Sequence, residues 1–288
     1  MKATRYITIA SFFLLLAFTG CKKDDDVLTG SIEDDASESI GSSLAADNDG
    51  TFNQTTDAYD AADGRIVSNG NFSKLTDTTN YKTKVYSDGW WTITIERELG
   101  TPSDVVYSYT KRTFALQFLN KNNQPQQYWR NLVEGMVDTA TTINYRIING
   151  SGYFKNPKVS HHLDSLSGEW VLTNTNTDTI TVTGKYYRAG TDTVKTLQAL
   201  RTMKTALNLT EINLKGPRKK PMDDMGRPIL RPYKGTMKGT FIADVTFSKG
   251  ELYKEKHIEK DINITVDGGD AKFLLGNKNF IKKLKDGQ

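Results

Sequence analysis

A single cysteine, Cys21, stands in 288 residues, so no disulfide can form within the chain. Histidine is nearly as scarce. His161 and His162 are adjacent, and neighbours on a strand point to opposite faces, while His257 lies far along the chain. With no His-Glu-x-x-His spacing either, no metal site is expected. There is no Gly-x-Ser-x-Gly elbow and no phosphate-cradling glycine loop, and no cofactor is expected. Glu96 with Glu98, and Glu255 with Glu259, share strand faces. Such acids beside Lys and Arg are cross-strand partners, not the two carboxylates across a cleft that glycoside hydrolysis needs. The expectation is a binding or structural module that is not an enzyme; the alternative is a carbohydrate-active enzyme whose site residues the sequence does not identify.

The longest apolar run, residues 7 to 18, falls short of the ~20 residues of a spanning helix. Lys and Arg are absent from residues 24 to 63, which hold twelve Asp and Glu. Beyond residue 64 the balance reverses, to 34 Lys and Arg against 22 Asp and Glu, a formal charge of +12 hidden within the overall +4. An acidic segment thus precedes a basic body.

What the N-terminus does contain is specific. Lys2 and Arg5 lead the apolar run, which ends in Thr19-Gly20-Cys21 and is followed by Lys22-Lys23-Asp24-Asp25-Asp26. A basic start, an apolar core and small residues before a cut describe a secretory signal over 1–20. Thr19-Gly20-Cys21 resembles the lipobox of bacterial lipoproteins, with Phe18 in place of the usual leucine. Lys22 to Asp26 is similar to the export signal of Bacteroidota surface lipoproteins. The resemblance implies that Cys21 is acylated and that the protein is held on the outer membrane, exposed at the cell surface. Two or more acyl chains anchor a protein stably, where one does so marginally.

Residues 21 to 64 are read as an acidic tether with short helices. Ile32, Ala36, Ile40 and Leu44 recur every four residues, and a second helix around 54–62 would present Phe52 and Tyr59. Unfolded, the tether spans ~35 Å.

From residue 65 to 288 the texture is that of strands. Trp91, Ile93, Ile95, Arg97 and Leu99 share one face, with Trp90, Thr92, Thr94 and Glu96 on the other. Residues 105–119 read as a long strand with Phe114, Leu116 and Phe118 inward, and Ile143, Tyr145 and Ile147 mark another. Residues 169–187 form the clearest hairpin, turning at 174–178. Residues 194–214 read as one long stretch. Met237 to Phe247 and Ile258 to Val266 alternate cleanly. The fold expected is all-β: a long-stranded antiparallel meander forming a large twisted sheet, half-barrel or sandwich-like.

Residues 216–235 hold four of the seven prolines among Arg218, Lys219 and Lys220, and are read as a projecting basic loop or irregular edge. This loop suits a polyanion; Trp90 or Trp91 suits the face of a sugar, and Trp129, Tyr107, Tyr109, Tyr186 and Tyr187 add further rings. Glycan or another polyanion is therefore the expected ligand class, and nucleic acid is not, since no recognition module is visible. Five Asp-Ser/Thr steps resemble the O-glycosylation sequon of exported Bacteroidota proteins, with acceptors Thr78, Thr139, Ser165, Thr179 and Thr193. The same steps also arise where a turn Asp precedes a strand.

Overall fold

The computed structural model describes residues 32–44, 50–62, 81–157, 159–195, 199–226, 229, 231–275 and 277–283. Residues 1–20, read above as a secretory signal, Cys21, the charged run behind it and Thr78 lie outside these residues. Two helices come first, α1 (Ile32–Leu44) and α2 (Thr51–Ala62). Strands follow: β1 (Tyr81–Ser87), β2 (Trp90–Leu99), β3 (Tyr107–Leu119), β4 (Pro125–Gln126), β5 (Arg130–Val133), β6 (Met136–Thr139) and β7 (Thr142–Lys155). The longest lie further on: β8 (Val159–Thr173), β9 (Thr179–Lys195), β10 (Leu200–Pro217), β11 (Tyr233–Lys249) and β12 (Leu252–Gly268), before β13 (Asp270–Leu275) and β14 (Lys278–Lys283). Twelve of them form one antiparallel sheet in the order β1-β2-β3-β7-β8-β9-β10-β11-β12-β13-β14, with β4 beside β3; β5 and β6 make a separate ribbon. The expected all-β meander is what the chain forms.

Local chemistry sets the turns. Asp88-Gly89 and Glu134-Gly135 each have two successive positive φ angles, the two-residue turn whose twist matches its flanking strands. Residues 194–214 are not one strand, as the alternation suggested. The chain reverses between Lys195 and Leu200, and β10 pairs antiparallel with β9. Within β10 the register slips around Thr210 against both neighbours. Leu207 and Leu209 face inward before that bulge and Ile212 and Leu214 after it, so the buried positions change from odd to even.

One face of the sheet is buried from Trp91 and Ile93 on β2 to Ala271 and Phe273 on β13. Laid flat, eleven strands would be about 50 Å wide. Two helices, each ~10–12 Å across, could not cover that width. The sheet therefore curls around them: α2 packs on β7 and β8, and α1 packs on β10 and β14. It remains open, with β1 and β14 as its edges. Beneath α2 runs an aromatic row from Phe114 through Tyr145 and Trp170 to Tyr186, one ring per strand, with centroids 5.4, 5.3 and 6.0 Å apart. Gly168 makes room for it, since a Cβ there would lie 2.5 Å from the Trp170 ring.

The helices correct the tether expectation over 32–44 and 51–62. Ala36, Ile40, Leu44, Phe52, Ala58 and Tyr59 are fully buried in the same core as the sheet. The acidic segment also meets the basic body through specific pairs. Arg112 on β3 is buried and pairs with Asp57, while its Nη1 donates to Gln54 Oε1 at 2.7 Å. Arg231 is buried as well, with Nη1 2.8 Å from Asp60 Oδ1 and its guanidinium 5.4 Å from the Tyr59 ring. Tyr145 donates to Gln54 Oε1 at 3.0 Å and Tyr59 to the Ile180 carbonyl at 3.1 Å.

Burial pushes the Tyr233 phenol up to about 12, against the opposing pull of Arg231. An unfolded tyrosine ionises near pH 10. Stability is therefore unaffected by this group below pH 10, and falls as pH rises from 10 toward 12 while only the unfolded chain ionises. Tyr233→Phe should remove about 2–3 kcal/mol of that fall, read from urea midpoints against pH. An equally steep decline in the variant would place the sensitivity elsewhere.

Candidate functional site

Strands β7 to β12 are 14 to 18 residues long, about 45–60 Å. The helices, of 13 and 12 residues, are only about 20 Å long. Their bonds to Tyr145, Ile180 and Tyr233, and the approach of Gly41 to Lys282, fall at one end of the sheet, and the bond to Arg112 falls near its middle. The opposite end, from Tyr107 on β3 to Lys254 on β12, has no helix over it among the described residues. Side chains on both faces there do not need to serve the helical core.

On the outer face of this open half, Tyr107, Tyr153 and His162 form a strip across β3, β7 and β8. Ring centroids are 6.1 Å apart at each step, and the His162 ring stands edge-on to Tyr153. Tyr109 lies opposite Tyr153 in the register. Carboxylates rim the strip. Glu98 accepts from the Tyr107 hydroxyl at 3.0 Å, and Glu96 accepts from Tyr109 at 3.1 Å while lying 3.3 Å from Lys111 Nζ. Asp164 accepts from Thr191 at 3.1 Å and pairs with His162 Nδ1. Desolvation, and then the bonds to Glu98 and Glu96, raise both phenols above their ordinary value. Farther along the same face, Lys204, Asp244, Glu255 and His257 line an open depression of about 420 Å³, with His257 Nδ1 2.7 Å from Asp244 Oδ1.

The inner face of the open half holds a three-residue relay. Arg188 Nη2 lies 2.9 Å from His161 Nε2, and His161 Nδ1 lies 2.5 Å from Asp192 Oδ1. Arginine can only donate, so Nε2 accepts and the imidazole proton sits on Nδ1, facing Asp192. Both ring nitrogens are thus occupied. His162 points to the other face, and among the described residues no three His, Cys, Asp or Glu side chains are grouped to hold a metal.

The residues singled out in the sequence divide. Trp91 is buried, packs on Tyr86 and Tyr128 with centroids 5.1 and 5.9 Å away, and donates Nε1 to the Gln127 carbonyl at 2.5 Å. It is a core residue and offers no face to a ligand. Trp90 is half-buried on the other face, where the Arg146 guanidinium lies 4.4 Å from its ring centroid. The 216–235 segment does not simply project. Arg218 donates Nε to the Thr177 carbonyl at 3.0 Å and lies 5.1 Å from the Trp129 ring, tying the segment to the β8–β9 turn. Arg231 ties it to α2. Lys219 is exposed and Lys220 half-buried. Trp129 and Tyr186 are buried too, whereas Tyr187 is exposed on the outer face.

Of the sequon acceptors, Thr179 is exposed and opens β9, as a turn Asp before a strand predicts. Thr139, Ser165 and Thr193 are half-buried within strands or, for Ser165, at a register shift in β8. Turn chemistry therefore does not account for those three. Sequence reasoning missed Tyr153, the Arg188–His161–Asp192 relay and Lys254, Lys256 and Lys260. Only the lysines had a signal, bases at 254, 256 and 260 against acids at 255, 259 and 261, interrupted by His257 and Ile258. Comparison with protein-family models, with curated proteins and with solved structures finds no match to this chain.

Proposed function

We propose that this chain is a lipid-anchored protein of the outer-membrane surface, and that its sheet is a non-enzymatic binding module for glycans. The lipobox-like Thr19-Gly20-Cys21 and the acidic run behind it support the address. The observation that supports the activity is the outer pair of rings Tyr153 and His162, with Tyr109 opposite Tyr153 in the register and Tyr107 buried at their edge, rimmed by Glu96, Glu98 and Asp164. Flat rings suit the apolar faces of sugars, and ionised carboxylates accept from their hydroxyls. Glu96 and Glu98 already accept phenolic hydrogens on one side of one strand, an arrangement that favours a binding rim over an acid and a base facing each other across a scissile bond. Thr179 is the exposed acceptor for a glycan of the protein's own.

Two measurements test this reading. Wild type should incorporate a fatty-acid analogue, and Cys21→Ala should be unlabelled and released from membranes. On a glycan array the chain without its leader should bind, and Tyr153→Ala should weaken neutral glycans by about tenfold, the loss of one stacked ring. A soluble, unlabelled wild type defeats the address, and an array without binding defeats the activity.

A further inference from the structure

The lysines of this sheet are arranged differently on its two faces. On the outer face four of them are ion-paired, Lys111 with Glu96 at 3.3 Å, Lys185 with Glu169 at 3.4 Å, Lys234 with Asp267 at 3.5 Å and Lys238 with Glu211 at 3.0 Å, while Lys195, Lys204, Lys215 and Lys272 there make no ion pair among the described residues. On β12 the two faces separate by charge. Glu255, Glu259 and Asp261 point outward with His257. Lys254, Lys256 and Lys260 share the inner face with Ile258, Ile262 and Ile264, which are buried. Across the ladder these lysines oppose Phe247, Val245 and Phe241 on β11, none of them an acid. On the other side β13 pairs only with residues 264–267, so among the described residues no strand lies next to 254–260. All three lysines are exposed, and none makes an ion pair among the described residues. Arg201, opposite Phe247, and Lys249 lie on the same face.

Charge on a strand edge discourages sheet-to-sheet pairing whichever face it points to. That purpose does not require all the bases on one face without acids. We propose that this row is a binding site for an acidic polysaccharide, laid along β12 on the inner face of the open half. The inference rests on the glycan reading above and adds the ligand's charge and a second site. The row is about 20 Å long at ~3.4 Å per residue, which suits a chain with regularly repeated carboxylate or sulfate groups. Phe247 supplies a ring between Arg201 and Lys254.

The test uses the full chain without its leader and four probes: polygalacturonate, dextran sulfate, neutral dextran and phosphatidylglycerol vesicles. The variant K254S/K256S/K260S removes three charges from exposed, unpaired positions. K185S/K234S/K238S removes the same number from the outer face. The inner variant should bind the two acidic polymers about tenfold more weakly at low salt, with a shallower dependence on salt, while the outer variant stays within about twofold. Equal loss in the two variants would mean that net charge acts without a site, and overturns the proposal. So does tighter binding of the vesicles than of the polymers with the same dependence on the inner lysines, which assigns the row to lipid. If the inner variant matches the parent while neutral glycans still bind the Tyr153 strip, the row is wrong and the glycan reading stands. Absence of binding to any glycan removes both.

Discussion

A chain beginning at residue 64 is expected not to fold cooperatively, although every strand is intact. Ile40, Leu44, Phe52 and Tyr59 are fully buried against the sheet. Each contributes about 1.5–3 kcal/mol by leaving water, about 6–12 kcal/mol together. That is most of the 5–15 kcal/mol by which a typical domain is stable. Deletion would also bare Tyr145, Trp170 and Tyr233, and strip Arg112 and Arg231 of their acids. The truncated chain should keep strand-rich circular dichroism, bind a hydrophobic dye and lose its sharp thermal transition. A melting temperature within a few degrees of the full chain would return residues 32–62 to the role of a tether.

The second large effect is expected at Arg112. Its guanidinium is buried, pairs with Asp57 and donates to Gln54 Oε1, which also accepts from Tyr145. Arg112→Met fills a similar volume but leaves Asp57 and the fully buried Gln54 with fewer donors. Breaking one side of a buried pair costs about 3–5 kcal/mol. Adding Asp57→Asn removes the stranded charge and should restore about half of it, a coupling measurable in a double-mutant cycle. Additive losses would mean that the two side chains do not act as a pair. The Arg231–Asp60 pair offers the same experiment less than one turn from Asp57 on the same helix, since Asp57 and Asp60 are neighbours on one helix face.

The strand pairings show where pattern sufficed. The alternation of Ile258, Ile262, Ile264 and Val266, and of Met237, Phe241, Ala243 and Val245, states which face is buried, because side chains on a strand have a period of two. The turn at 174–178 was legible from its Asn and Asp residues. The bulge at Thr210 was not, because one extra residue changes the parity of everything after it without leaving a distinctive sequence. The helices were half-legible. The stripe in 32–44 was seen, but α2 is buried on nearly every side, with Gln54, Thr51 and Thr55 among its covered residues. Such a helix has no clean apolar face to detect, and its polar side chains looked like those of a solvated tether.

The candidate sites divided for the same reason. That Trp90 and Trp91 face opposite ways follows from adjacency alone, but which one enters the core depends on Tyr86, Tyr128 and the Gln127 carbonyl, brought there by separate segments. By itself the sequence determined the class of fold, the lone thiol at a lipobox-like motif and the division of charge between the first 63 residues and the rest. Each is a property of composition or of spacing between near neighbours. Only the tertiary structure decided what the charge division is for: Asp57 and Asp60 meet Arg112 and Arg231 across 55 and 171 residues of chain. It also decided which lysines have acids opposite them, because a cross-strand neighbour is set by sheet order and register, and neither can be read along a single strand.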